Sequence, residues 1–221
     1  MGISFIAFPP PIIDKHSYLE FQRSLISRGI EFTTASNPEH QIQVVREAPT
    51  PLQVSVRALV PAPLGQLLVV APHPARLLDA FVQEVEAVVE AYDDTWPAAQ
   101  RQLIKCDATL RDLYETESEH AFKELWETWL RQTRDSLAML GGPVLGGGLR
   151  LVMPAIRLDE PQIEVKIESY LRDSSKFFIE TQFSWSQPAQ PGEDLQPGQR
   201  LRKLNRYVEE KVLAFIKERS S

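Results

Sequence analysis

The chain has 221 residues, 43% apolar and 24% charged, with a formal net charge of −6. That is the profile of a globular protein with material for its own core. Six basic against eleven acidic side chains in residues 1–97, and eighteen against nineteen in residues 98–221, speak against nucleic acid, which demands clustered positive charge. One cysteine, Cys106, excludes an intrachain disulfide and fits a reducing, cytoplasmic setting. No apolar run approaches about 18 residues, so no membrane span is expected.

Residues 3–8 (ISFIAF) read as a strand ended by prolines 9–11. The N-terminal stretch is apolar but has no basic leader and is broken by those prolines, so it is not read as a signal peptide. Ser17 and Glu20 have capping-box spacing, which predicts a helix from Ser17 to about Arg28, with Gly29 as a left-handed cap. Strands follow at 31–36, 41–48, 52–61 and 65–72. His73-Pro74 opens a second helix, whose apolar positions Leu77, Phe81, Val85, Val88 and Tyr92 recur at helical spacing.

A strongly alternating strand at 102–114 then restarts the pattern. Thr116 and Glu119 form another capping-box pair, before a helix predicted to run to about Leu140 with Phe122, Trp126, Trp129 and Leu137 on one face. The glycine-rich connector 141–148 feeds a strand, LRLVMPA. A hairpin at 161–185, a loop at 186–198 and a helix at 199–217 complete the chain.

The order is β-α-β(3–4)-α, twice: residues 1–97 and 98–221 read as two repeats of one globular unit. The fold class is α+β, with sequential strands pairing into one curved antiparallel sheet and the helices on one face. This element order resembles that of the TATA-box-binding protein family. The resemblance implies a fold only: no residue motif of that family is present, and the acidic charge opposes its activity.

Alternation separates the two strand faces. Leu52, Val54, Val56 and Ala58, then Ile104, Cys106, Ala108 and Leu110, then Ile163, Val165, Ile167 and Leu171, read as core. The other face carries Arg57, Lys105, Arg111, Lys166, Glu168, Tyr170 and Arg172. With it goes a possible apolar interface of Leu59, Tyr170 and Phe178, flanked by Leu68 and Val70.

Candidate chemistry is sparse. Cys106 falls on the apolar side of its strand, where cysteine acts as a small hydrophobe. Glu117-x-x-His120, with Glu124 a turn on, has the spacing of a carboxylate-bridged metal site but lacks the second such pair. His16 with Glu20 is the other helical pair. Glu164 and Glu168 share a strand face with Lys166 between them, a pattern of cross-strand salt pairs. The glycine connector runs from helix to strand, the reverse of a phosphate loop, and no Gly-Lys-Ser/Thr follows.

The leading expectation is a non-enzymatic binding protein that uses the open sheet face to meet a protein or a second copy of itself, with no cofactor and no metal. The alternative is a small-molecule binding protein or enzyme. Its pocket would lie between helices and sheet near the connector 141–148, lined by Trp126, Trp129 and Tyr92.

Overall fold

The computed structural model describes residues 1–72 and 77–220. It is an α+β protein whose nine strands form one antiparallel sheet in the order β2-β3-β4-β5-β1-β6-β9-β8-β7. These are β1 (Gly2–Phe8), β2 (Thr34–Ser36), β3 (Gln41–Arg46), β4 (Leu52–Ala58), β5 (Gly65–Val70), β6 (Gln102–Glu115), β7 (Gly148–Met153), β8 (Gln162–Ser169) and β9 (Lys176–Trp185). The helices are α1 (Lys15–Ser27), α2 (Leu78–Thr95), α3 (Ala121–Lys123), α4 (Pro197–Tyr207) and α5 (Leu213–Ser220). The element order is the one expected. Among the described residues no helix is long and apolar enough to cross a membrane. The predicted start of α2 at His73-Pro74 lies outside the described residues.

Compactness divides the chain into two units: Met1–Thr109, Ile156–Pro161 and Ser184–Lys203 in the first, and Leu110–Ala155, Gln162–Phe183 and Leu204–Ser221 in the second. The loop after β9 and most of α4 therefore belong with the first unit.

In the first unit, alternation places whole rows of side chains in the core. Ile42, Val56, Leu67, Phe5 and Cys106 stand opposite one another across five strands, and all are buried. The adjoining row of Val44, Val54, Val69, Ile3 and Ala108 is buried too. Phe21 and Leu25 of α1 and Phe81, Val85, Val88 and Tyr92 of α2 cover these rows. Leu77, read as the first core position of α2, is exposed.

One core assignment shifts. Ile6 pairs with Lys105 but Ala7 pairs with Leu103, so Ile104 is the extra residue of a β-bulge. Leu103 is buried in place of Ile104. Alternation read straight through 102–112 missed this change of phase.

The helix starts also move. Asp14 caps α1: its carboxylate accepts the Ser17 N–H at 2.8 Å, and its own N–H donates to Ser17 Oγ at 3.0 Å. Ser17 is thus the partner in the capping box and not its first residue.

In the second unit, Thr116 N–H donates to the Ser175 carbonyl and Ala121 N–H to the Ser174 carbonyl. The segment between is held against the β8–β9 hairpin and turns helical only at Ala121. The long helix predicted to Leu140 is instead α3, a π-helical turn over Glu124–Trp129, a break, and a 3₁₀ turn over Arg134–Leu140. At the break, Thr133 O accepts hydrogen bonds from the Trp126 indole at 3.0 Å and from the Ser136 hydroxyl at 2.6 Å.

Phe177, Ile179 and Phe183 of β9 and Val165 and Ile167 of β8 line this unit's core. Trp129 packs on Phe177 with centroids 5.0 Å apart, and Phe183 meets Tyr207 edge-on at 5.3 Å. Leu171, expected in the core, is 78% exposed, because β8 ends at Ser169 and the next residues enter the hairpin turn. The buried position passes to Ser169.

Candidate functional site

The connector after the 3₁₀ turn is built from a cap and an anchor. Gly141 adopts φ +77°, the left-handed conformation that closes the preceding turn. Residues 146–148 are anchored. Gly147 O accepts the Ser169 N–H at 3.0 Å, and Gly147 N–H donates to Ser169 Oγ at 3.1 Å. A Cβ at Gly147 would stand 3.0 Å from the Phe122 ring. Between cap and anchor, residues 142–145 border an open cavity of about 610 Å³ whose other walls are His120, Phe122, Leu137 and Ala138.

Among the described residues of the wall, the side chains are apolar except that of His120. That residue sits at the N-cap of α3 with extended backbone, its carbonyl accepting the Glu124 N–H and the Ser118 hydroxyl. Its side chain caps nothing, and Nδ1 is buried without a hydrogen-bond partner. Trp126 stands one ring behind the wall, stacked on Phe122 at 6.0 Å.

A smaller, polar cleft of about 450 Å³ lies in the same unit between Tyr114, Glu117, Lys217 and Ser220. Behind it the buried Glu124 carboxylate accepts hydrogen bonds from Ser118 N–H (3.2 Å), the Ser118 hydroxyl (3.0 Å) and the Ser220 hydroxyl. Of the residues in the Glu-x-x-His pattern and the turn after it, Glu117 thus borders the cleft, His120 the apolar cavity, and Glu124 ties segment 118–124 to α5.

The residues expected on the open face fall in both units. In the first, Arg57 donates to Gln66 at 2.6 Å, and Gln66 in turn to Ser4 at 2.6 Å. Lys105 pairs with Asp107 at 2.9 Å. Leu59 follows β4 and is half-buried.

In the second unit the charges form a ladder across four strands. Arg111 and Lys166 meet Glu180 at 2.6 and 2.8 Å, Lys166 also reaches Glu164 at 3.4 Å, and Arg150 grips Glu164 with two bonds of 2.9 and 2.8 Å. Burial would raise the Glu180 carboxyl, but hydrogen bonds from Lys166 and Arg111 outweigh it and hold the group below its ordinary value. The Arg150 bonds lower Glu164 likewise, and Glu180 raises Lys166. Glu168 and Arg172 are exposed, while Tyr170 and Phe178 are half-buried.

Cys106 is buried, and burial pushes its thiol up to about 12. Among the aromatic side chains expected to line a pocket, Tyr92 is buried in the first unit beneath the Arg101 guanidinium, and Trp129 is committed to Phe177. The wall of the cavity leaves little trace in the sequence: Ala138 and Pro143–Leu145 carry no chemical signal, and the spacing of Glu117 and His120 points only to a metal pattern.

No family model matches the chain, and no curated protein matches it in sequence. Among solved structures, it aligns with the "Crystal structure of the di-domain ARO/CYC StfQ from the steffimycin biosynthetic pathway" at 10% identity, over 98% of this chain and 97% of that one, with a TM-score of 0.27. At that score the alignment carries no functional argument.

Proposed function

We propose that the second unit binds a small, mostly apolar organic molecule carrying one hydrogen-bonding group. The observation behind this reading is the open cavity of about 610 Å³ bordered by residues 142–145, whose described side chains are apolar but for His120. Its size suits a small ligand, and its walls follow the usual scheme of many apolar groups and few polar ones. An unpartnered buried nitrogen such as His120 Nδ1 costs about 1–3 kcal/mol. A half-turn of the ring exchanges Nδ1 with Cδ2, so engagement by a ligand hydroxyl, carbonyl or amide relieves that cost. The reading is binding: among the described residues of the wall, no second titratable side chain stands with His120 to share a proton or orient its ring.

Nile red, neutral and apolar with a carbonyl acceptor, is a suitable probe. It is expected to bind at one saturable site and to perturb tryptophan emission through Trp126. Filling the cavity with Ala138→Trp is expected to weaken binding at least about tenfold, or roughly 1.4 kcal/mol, with the far-ultraviolet circular dichroism unchanged. Undiminished dye binding by a folded Ala138→Trp variant rules the cavity out.

The outer sheet face is the second reading, favoured by the half-buried Tyr170 and Phe178. Arg111 and Lys166 already neutralise Glu180. Reversing both charges would therefore disturb the sheet along with any partner, and Glu168, exposed within β8, is the cleaner probe of that face.

A further inference from the structure

We infer that β7 is a self-pairing edge, through which two copies of this chain join their sheets antiparallel about a two-fold axis at Leu151. The strand is last in the sheet order, so one of its sides has no strand partner among the described residues. Its side chains are exposed for a strand, Leu151 at 38% and Val152 at 51%. An edge of this kind, hydrophobic and six residues long, is a template for another strand unless it is blunted.

The hydrogen-bond phase fixes what the edge offers. Ser169 N–H bonds to Gly147 O. With the β7–β8 register, Leu149, Leu151 and Met153 then fall in the class that exchanges bonds with β8. Gly148, Arg150 and Val152 turn their N–H and C=O groups outward.

A second β7 must oppose outward-bonding residues to outward-bonding residues, and that same condition keeps the helix-covered faces of the two sheets on one side. Three registers centred in the strand meet it. Centring on Arg150 sets two guanidinium groups directly opposite, which is repulsive. Centring on Val152 sets Arg150 against Pro154, which has no N–H to give.

Centring on Leu151 avoids both faults. Arg150 and Val152 of the two copies then exchange about four backbone hydrogen bonds. Leu149, Leu151 and Met153 oppose Met153, Leu151 and Leu149 of the second copy in one apolar row. On the other face Val152 lies beside Glu164 in the register with β8, so Arg150 looks across the Val152 of the second copy toward that copy's Glu164. Opposite charges flank the axis and no like pair is opposed.

Sedimentation velocity over a concentration series tests this, with variants at Val152, whose side chain lies on the sheet's outer face. The wild-type chain is expected to dimerise. Val152→Lys, which sets a lysine against Arg150, is expected to weaken the dimer at least about tenfold; Val152→Thr, which keeps a β-branched side chain and adds no charge beside Glu164, is expected to retain it. Thermal melts of both variants check that the fold survives. Amide exchange is expected to slow on dimerisation at Arg150 and Val152 and to stay unchanged at Leu149 and Leu151. A monomer at all concentrations overturns the inference, as does a dimer indifferent to Val152→Lys or one lost in Val152→Thr.

Discussion

The ladder centred on Glu180 shows how far single side chains were readable. The alternation of Glu164, Lys166 and Glu168 along one strand pointed to cross-strand salt pairs, and Lys166 does bridge Glu164 and Glu180. Which carboxylate would be central was not readable, because Glu180 enters from β9 and its partners Arg111 and Lys166 lie 69 and 14 residues away in sequence. Glu164 and Glu180 are held below their ordinary values. Their stabilisation is therefore complete above the carboxylate range of the unfolded chain and lost as pH falls through their lowered values. Lys166 is shifted upward, so its share is present below the ordinary lysine value and lost only as pH rises through the raised one. Glu180→Gln is expected to cost about 1–2 kcal/mol at neutral pH and to flatten the acid limb of a stability-versus-pH curve; urea melts at several pH values measure both. Cys106 was legible outright, since its place on the apolar side of β6 already implied a packed and inert thiol.

Whole elements were readable where one periodicity ran unbroken, as in α2 and in β3 to β5. The segment after β6 misled because its signals were local and its constraints were not. Thr116 and Glu119 have capping spacing, and four apolar positions suggest a helical stripe. Backbone bonds to Ser174 and Ser175 delay the helix nonetheless, and the indole of Trp126 holds Thr133 O at a break. Leu137 and Ala138 of the cavity wall belong to the chain that the longer helix would have kept on its own axis. The connector's far end is correspondingly strict. A Cβ at Gly148 would lie 2.5 Å from the Ile167 carbonyl oxygen and 2.9 Å from Glu168 Cα, backbone that cannot retreat without opening the β7–β8 ladder. Gly148→Ala is expected to lower stability by about 1–3 kcal/mol, read from urea melts, with local amide exchange accelerated along β7.

At the scale of the molecule, the order of strands and helices was legible from alternation and turn residues alone. The compact units were not, because they interleave: β6 contributes residues to both, and the chain returns to the first unit at Ile156–Pro161 and again from Ser184. Their membership depends on long-range packing, which leaves no local mark. The bulge in β6 bears on how this architecture tolerates a change in chain length. Ala7 pairs with Leu103 and Ile6 with Lys105, so excising Ile104 leaves every other pairing in place and converts the bulge into a regular ladder. Excising Thr109 instead throws Leu110 and all that follows onto the wrong side of the sheet. The first deletion is expected to fold and melt near the parent, and the second to lose its cooperative transition, as differential scanning calorimetry of the pair would record. Position 104 is thus a splice point, where a residue can be lost without a change of reading frame in three dimensions.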